Sequence, residues 1–349
     1  MAEAVKVAIA SPLEAELVES IRTVDARIEV AYAPELLPPL RFRGDHRGVD
    51  GFRRSPEDEQ RYWETIATAE VLYGVPGDSP EGLAGAVRRA ERLRWVQATS
   101  AGAGQQVGAA GLTPEELERV TVTTASGVHP GPLAEFTMLA LLAYTKELAR
   151  LQADQRAHRW SQRPLCELSG RSLLIVGLGQ IGEEVARLAD AFGMRVTGIN
   201  RSGTCDSPHV HHMHRISELR ACLPDADAIV IVLPLTPDTA GLIDAAAIAA
   251  VKPGAILVNV GRGGVIDEPA MIGALRSGRL AGAALDVFAT EPLPAESPLW
   301  EMPNVLVTPH TAALSWHENE RIASLFCENL GRYLRGEELR NRVDPELLY

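Results

Sequence analysis

The sequence predicts an α/β protein made of two doubly wound parallel-sheet domains with a cleft between them. Three observations carry this. Short apolar runs alternate with amphipathic helical patterns in two successive blocks. A glycine turn, Gly177-Leu178-Gly179-Gln180-Ile181-Gly182, opens the second block between a strand pattern and a helix pattern. The chain has 349 residues, more than one hydrophobic core usually supports.

In the first block, Val5–Ala10, Arg27–Tyr32, Val71–Gly74, Trp95–Ala98 and Val120–Thr124 read as strands. Leu13–Thr23, Glu57–Thr68 and Leu83–Arg89 read as the helices between them. The polar, Arg- and Gly-rich stretch 34–56 reads as a long surface loop, functional or mobile. Leu133–Leu151 reads as one apolar helix whose start is punctuated by Pro130 and Pro132, and the polar stretch Gln152–Cys166 reads as a connection.

The second block is cleaner. Ser172–Val176, Arg195–Ile199, Ala228–Val232, Ala255–Asn259, Ala281–Asp286 and Val305–Thr308 read as strands. Ile181–Phe192, Ile216–Cys222, Ala245–Ala249, Glu268–Ser277 and Glu318–Arg335 read as helices. The expected division places a dinucleotide-binding domain at residues 126–311. A discontinuous substrate domain then comprises 1–125 and 312–349.

The glycine turn stands where a pyrophosphate-binding turn must stand. Gly177 makes the turn, Gly179 lets the backbone approach the ligand, and Gly182 packs helix on strand. The helix start adds amide donors and a positive dipole end. At the end of the next strand an NAD enzyme usually carries an acid, but here the run is Asn200-Arg201-Ser202. With no carboxylate to repel a 2′-phosphate, Arg201 and Ser202 are expected to bind one. The expected cofactor is NADP(H) in preference to NAD(H).

Arg262 follows the strand ending at Asn259 and lies in a glycine-rich loop at a carboxyl edge, where open α/β sheets bind ligands. Its fork suits a carboxylate. Glu291 and His310 say little alone, since a Glu before Pro is usually a loop residue and a His after Pro a capping or core residue. Their joint presence after strand ends gives a cation, a carboxylate and an imidazole on one edge. A carboxylate beside an imidazole favours imidazolium, which can protonate a carbonyl oxygen during reduction.

These motifs resemble the D-isomer-specific 2-hydroxyacid dehydrogenase family, with its two Rossmann-like domains. The resemblance extends over the glycine fingerprint, Leu233–Thr239, Asn259–Glu268, Ala284–Pro294 and Thr308–Ala313, and more weakly over Ser100-Ala101-Gly102 and Ser126–His129. It implies that Arg262 binds the substrate carboxylate, His310 is the acid–base, and Glu291 is the partner of His310. Cofactor contacts are implied for Gly177, Gly179, Gln180, Ile181, Gly182, Asn200, Arg201, Ser202, Leu233, Pro234, Thr239, Val260, Gly261, Arg262, Asp286, His310 and Ala312. Asp286 would orient the nicotinamide carboxamide. Substrate contacts are implied for Ser100, Ala101, Gly102, Arg262 and His310. The chain departs from the family pattern at Asn200-Arg201 and at Gly104.

The expected reaction is hydride transfer between NADP(H) and a small 2-keto or 2-hydroxy acid. The alternative readings are an NAD(H)-sensing corepressor-like scaffold of the same fold or phosphite dehydrogenase, whereas formate dehydrogenase differs in having Gln where Glu291 stands. The net charge of −12 argues against nucleic acid as a partner. No apolar run is long enough to cross a bilayer. The N-terminus reads as a strand and helix rather than a secretory signal, and the four cysteines form no CxxC pair. The expectation is a cytoplasmic homodimer without a metal, the cluster His209, His211, His212 and His214 falling between the second and third strands of the nucleotide domain.

Overall fold

The computed structural model describes residues 4–344. The chain divides into two compact units, one of Met1–Val128 with Leu314–Tyr349 and the other of His129–Ala313. Residues 1–3 and 345–349, which the sequence assigns to the substrate domain, lie outside the described residues.

Unit 1 begins β1 (Val5–Ile9), α1 (Ala15–Arg22), β2 (Ile28–Ala31), α2 (Pro56–Ala67), β3 (Val71–Tyr73), α3 (Pro80–Arg89) and β4 (Trp95–Gln97). It continues through α4 (Gly104–Ala109), α5 (Pro114–Arg119) and β5 (Thr121–Thr123). Its parallel sheet has the order β2-β1-β3-β4-β5. β3 and β4 are buried throughout, as strands covered on both faces must be.

Unit 2 holds α6 (Pro130–Thr145), α7 (Leu148–Arg156), β6 (Ser172–Val176), α8 (Gln180–Ala191), β7 (Arg195–Asn200), β8 (His212–Arg215), α9 (Leu219–Cys222) and β9 (Ala228–Ile231). It ends with α10 (Ala245–Ala250), β10 (Ala255–Asn259), α11 (Glu268–Ser277), β11 (Leu280–Leu285) and β12 (Val305–Val307). Its sheet, also parallel, runs β12-β11-β10-β9-β6-β7-β8. The last helix, α12 (Glu318–Leu334), returns to unit 1.

α12 is fastened to the unit 1 sheet by aromatic rings. Phe326 stacks on the buried Trp95 with ring centroids 4.9 Å apart and meets Tyr73 edge-on at 5.1 Å. A buried polar chain runs beside them. Trp95 Nε1 donates to Thr123 Oγ1, which donates to Gln97 Oε1, and Asn329 Nδ2 donates to the same oxygen. These side chains carry no charge and satisfy one another, so their burial is not penalised as isolated polar groups would be.

Three local expectations need correction. The expected single helix Leu133–Leu151 is broken, because Glu147 takes a left-handed φ of +50° between α6 and α7. α7 buries no residue, so its polar sequence reads as a connection although it is helical. The histidine cluster does not fall wholly between strands: His212 and His214 lie on the edge strand β8, paired to β7 with Met213 packed towards Gly198. Stretch 34–56 is pinned rather than loose. Leu36 and Leu37 are buried, and the Asp45 carboxylate accepts the Arg41 guanidinium and the Gly48 amide.

α6 is anchored in unit 2 by Tyr144. Its hydroxyl accepts Leu306 N–H at 3.0 Å and donates to the Ala283 carbonyl. The ring lies where a side chain at Gly282 would stand, since a Cβ there would overlap it.

Candidate active site

Unit 2 assembles the glycine turn and the three polar residues on loops that follow strands of one sheet. Gly177 follows β6 with φ +103°, and its N–H donates to the Ile199 carbonyl at 2.9 Å. A Cβ at Gly177 would sit 2.9 Å from the Val232 main chain, and one at Gly182 would sit 2.5 Å from the Gly177 carbonyl. Both glycines are therefore required by packing. Gly179 differs: a Cβ there would meet nothing within 4 Å. It caps α8 without a side-chain hydrogen bond, so the first-turn amides open onto the same space. This turn fits a dinucleotide pyrophosphate. Gln180 and Ile181 begin the helix beside it.

β7 delivers Asn200. Its Nδ2 donates to the Thr204 carbonyl at 2.7 Å, and its Oδ1 accepts the Gly203 amide at 2.6 Å and the Ser202 hydroxyl at 3.1 Å. Asn200 and Ser202 thus hold the shape of the 200–204 turn, while Arg201 is exposed on it. No carboxylate occurs in residues 200–205.

The segment after β9 is closed by Thr239, whose hydroxyl donates to the Pro234 carbonyl and accepts the Thr236 amide at 2.8 Å. Leu233 packs against the next loop: a Cβ at Gly261 would lie 2.7 Å from its carbonyl oxygen. That loop is organised by Asn259, which is fully buried at the end of β10. Asn259 accepts the Gly261 amide and donates to the Arg262 carbonyl, both at 3.1 Å. The Arg262 side chain bends back, Nη1 donating to the Gly261 carbonyl at 2.7 Å. Val260 is buried beneath the loop. Burial pushes the Arg262 guanidinium pKa down, and the negative charge of Glu291 opposes that effect.

Asp286 follows β11 and is buried. Its carboxylate accepts the Thr308 hydroxyl at 2.7 Å, the Thr311 amide at 2.8 Å and the Ala312 amide at 3.0 Å. Its main-chain carbonyl accepts His310 N–H at 2.9 Å. His310 is held at φ +50°, a left-handed conformation that a non-glycine residue adopts at a cost. The Glu291 carboxylate is fixed at one oxygen by the Phe288 amide at 3.0 Å, and the other lies 2.8 Å from His310 Nδ1. An ionised carboxylate can only accept, so Nδ1 carries the hydrogen. Nε2 is then the ring nitrogen left to exchange a proton.

The structure thus brings Arg262, Glu291, His310 and Asp286 together on neighbouring loops of unit 2. Ser100, Ala101 and Gly102 belong to unit 1, in the turn between β4 and α4. Asn259 and the loop-organising bonds of Asp286 escape the sequence reading. The signal available for both is a polar residue closing an otherwise apolar strand.

A family model described as the NAD binding domain of D-isomer specific 2-hydroxyacid dehydrogenases matches residues 138–312. The chain belongs to the D-isomer-specific 2-hydroxyacid dehydrogenase family. Within it, the chain is 38% identical over 229 residues to D-3-phosphoglycerate dehydrogenase of Mycobacterium leprae, covering 63% of this chain and 42% of that protein. It therefore spans less than half the length of that dehydrogenase. Glyoxylate reductase of Korarchaeum cryptofilum is 35% identical over 238 residues, or 66% of this chain and 70% of the reductase. Among solved structures, the family member from Xanthobacter autotrophicus Py2 in complex with NADPH and MES superposes with a TM-score of 0.77. It is 29% identical, with 100% of both chains covered. Two parallel sheets flanked by helices are the architecture that the chain shares with such neighbours. Among the described residues, no helix is long and apolar enough to cross a membrane.

Proposed function

We propose that the protein is a D-2-hydroxyacid dehydrogenase working as an NADP(H)-preferring 2-keto acid reductase. The observation that carries this is the 2.8 Å pairing of Glu291 with His310 Nδ1 on a loop neighbouring that of Arg262. The nicotinamide, when bound, supplies the hydride in reduction and accepts it in oxidation.

The remaining chemistry falls to this chain. The guanidinium of Arg262 takes the substrate carboxylate and draws electron density from the adjacent carbonyl. His310 donates the Nε2 proton to the carbonyl oxygen as it becomes a hydroxyl, and recovers a proton in the reverse direction. Glu291 holds Nδ1–H, which fixes the ring orientation and balances the charge on imidazolium. Asp286 holds the loop that presents the ring. The amides at the start of α8 and the open backbone at Gly179 take the pyrophosphate, and Arg201 takes the 2′-phosphate. The substrate domain is formed by residues 1–125 and 312–349, with Ser100, Ala101 and Gly102 as its contacts to the acid.

The likeness to a glyoxylate reductase and to a family member with NADPH bound supports a small 2-keto acid and a phosphorylated cofactor. A panel of 2-keto acids, glyoxylate included, with NADPH and NADH in parallel tests the reading through reduced-cofactor absorbance. Turnover of at least one keto acid with higher kcat/KM for NADPH is expected. No turnover across the panel would overturn the activity, and an NADH preference would overturn the cofactor assignment.

A further inference from the structure

The amino-terminal edge of the unit 1 sheet carries a cluster of charge that the proposed chemistry does not use. β3, β4 and β5 pair in the register Val71–Trp95–Thr121. Residues just before these strands are therefore neighbours: Arg94 N–H donates to the Glu70 carbonyl, and Thr121 N–H donates to the Arg94 carbonyl, both at 2.9 Å. An open cavity of about 560 Å³ lies here, lined by Glu70, Arg92, Arg94, Arg119, Thr121 and Tyr333.

Among the described residues, three arginines and one carboxylate line this cavity, although the chain as a whole carries a net charge of −12. Two of them are fixed in place by main-chain acceptors. Arg119 donates through Nη1 to the Ala90 carbonyl at 3.1 Å and through Nη2 to the Val87 carbonyl at 2.6 Å. Arg94 donates through Nη1 to the Leu93 carbonyl at 3.0 Å and the Glu91 carbonyl at 3.1 Å. Glu70 forms one wall, accepting the Tyr333 hydroxyl at 2.7 Å with Arg92 Nη2 at 3.9 Å. The fold has thus already met much of the entropic cost of ordering these cations. The loops that follow β3 and β4, including Ser100–Gly102, leave the opposite edge of the same sheet.

We propose that this cavity is a binding site for a small dianion, a phosphate group or a dicarboxylate, held by Arg92, Arg94 and Arg119 with the Thr121 and Tyr333 hydroxyls beside them. Planar guanidinium groups match the paired oxygens of both anions. The site is independent of the reductase reading.

Calorimetric titration at fixed ionic strength tests it, using inorganic phosphate and succinate as separate probes. Saturable binding of at least one anion is expected in wild type. It should persist in an Arg201→Ala, Arg262→Gln double variant, which removes the two unit 2 cations assigned above to the cofactor phosphate and the substrate carboxylate. Arg94→Gln and Arg92→Gln should each weaken it about 10–100-fold, the range for one charge-assisted contact. Glu70→Gln should tighten it, an effect that a merely structural role for Glu70 would not produce. Tighter phosphate binding would assign a phosphate ligand, and tighter succinate binding a dicarboxylate. The proposal is overturned if neither probe binds above a chloride control. It is equally overturned if binding disappears in the double variant, or if Arg92→Gln and Arg94→Gln, verified as folded by circular dichroism, bind as wild type does.

Discussion

Asp286 and His310 are coupled through a single strand end. The Asp286 carbonyl accepts the His310 amide at 2.9 Å, while its buried carboxylate accepts the amides of Thr311 and Ala312 just beyond. The imidazole is thereby placed by a residue it does not touch with its own ring. The left-handed backbone at His310 persists because these bonds surround it.

Asp286→Asn tests that coupling. An amide has the same shape but removes the negative charge that three donors face, and it sets an NH₂ where Oδ2 shares the Ala312 amide. The variant should lose about 1–3 kcal/mol of stability, the cost of an unsatisfied buried group. Hydrogen exchange at residues 308–312 should rise well above that of the β10 and β11 amides. Denaturant unfolding and exchange mass spectrometry check both, and an unchanged 308–312 loop would remove Asp286 from its positioning role.

Arg201→Ala tests the reading of the cofactor phosphate. Asn200 and Ser202 bond within their own turn, so the cation is the principal group there able to meet a dianionic phosphate. NADPH binding should weaken by about 1.5–3 kcal/mol, as for a lost charge-assisted contact, with NADH little affected. Fluorescence titration of both cofactors gives the comparison. Equal losses would show that Arg201 does not distinguish them.

Arg262→Lys should raise KM for the keto acid about tenfold or more, because an ammonium cannot reproduce a two-point contact with a carboxylate. Cofactor affinity should change far less. Steady-state kinetics with the cofactor saturating separates the two effects.

Asp45 predicts a pH dependence of stability. Burial raises its pKa, but the Arg41 guanidinium and the amides of Arg41, Gly48 and Arg47 outweigh burial and hold it well below the usual carboxylate range. A group depressed on folding contributes stability above its unfolded value, about 3.9, and loses it as pH falls towards the folded value. Asp45→Asn should therefore be less stable than wild type by about 1–3 kcal/mol near neutrality. The gap should shrink below about pH 4. Urea denaturation across that pH range measures the difference.

Much of this architecture is legible in the sequence because parallel strands buried on both faces leave unbroken apolar runs. Ser172–Val176 and Ala255–Asn259 are strands over the residues expected. The break at Glu147 is invisible because a charged residue in left-handed conformation leaves no glycine to mark it. α5 escapes the sequence reading because, although a Thr113–Glu116 capping box opens it, its six residues are too few to show periodicity. At the site, Arg262, Glu291 and His310 stand out because charge at a strand end is conspicuous. The work of Asn259 and Asp286 is hidden because it depends on which loops their buried polar atoms face, and chain order does not encode that contact directly.

On the proposed function, His310 is the proton donor to a 2-keto acid. The most direct test is kcat for glyoxylate reduction by His310→Ala under saturating NADPH, with the NADPH dissociation constant measured alongside. A fall of about 10²–10⁴-fold in kcat is expected, the usual contribution of a positioned acid, with NADPH affinity changed only slightly. A variant that reduces glyoxylate within a few-fold of the wild-type rate would contradict it.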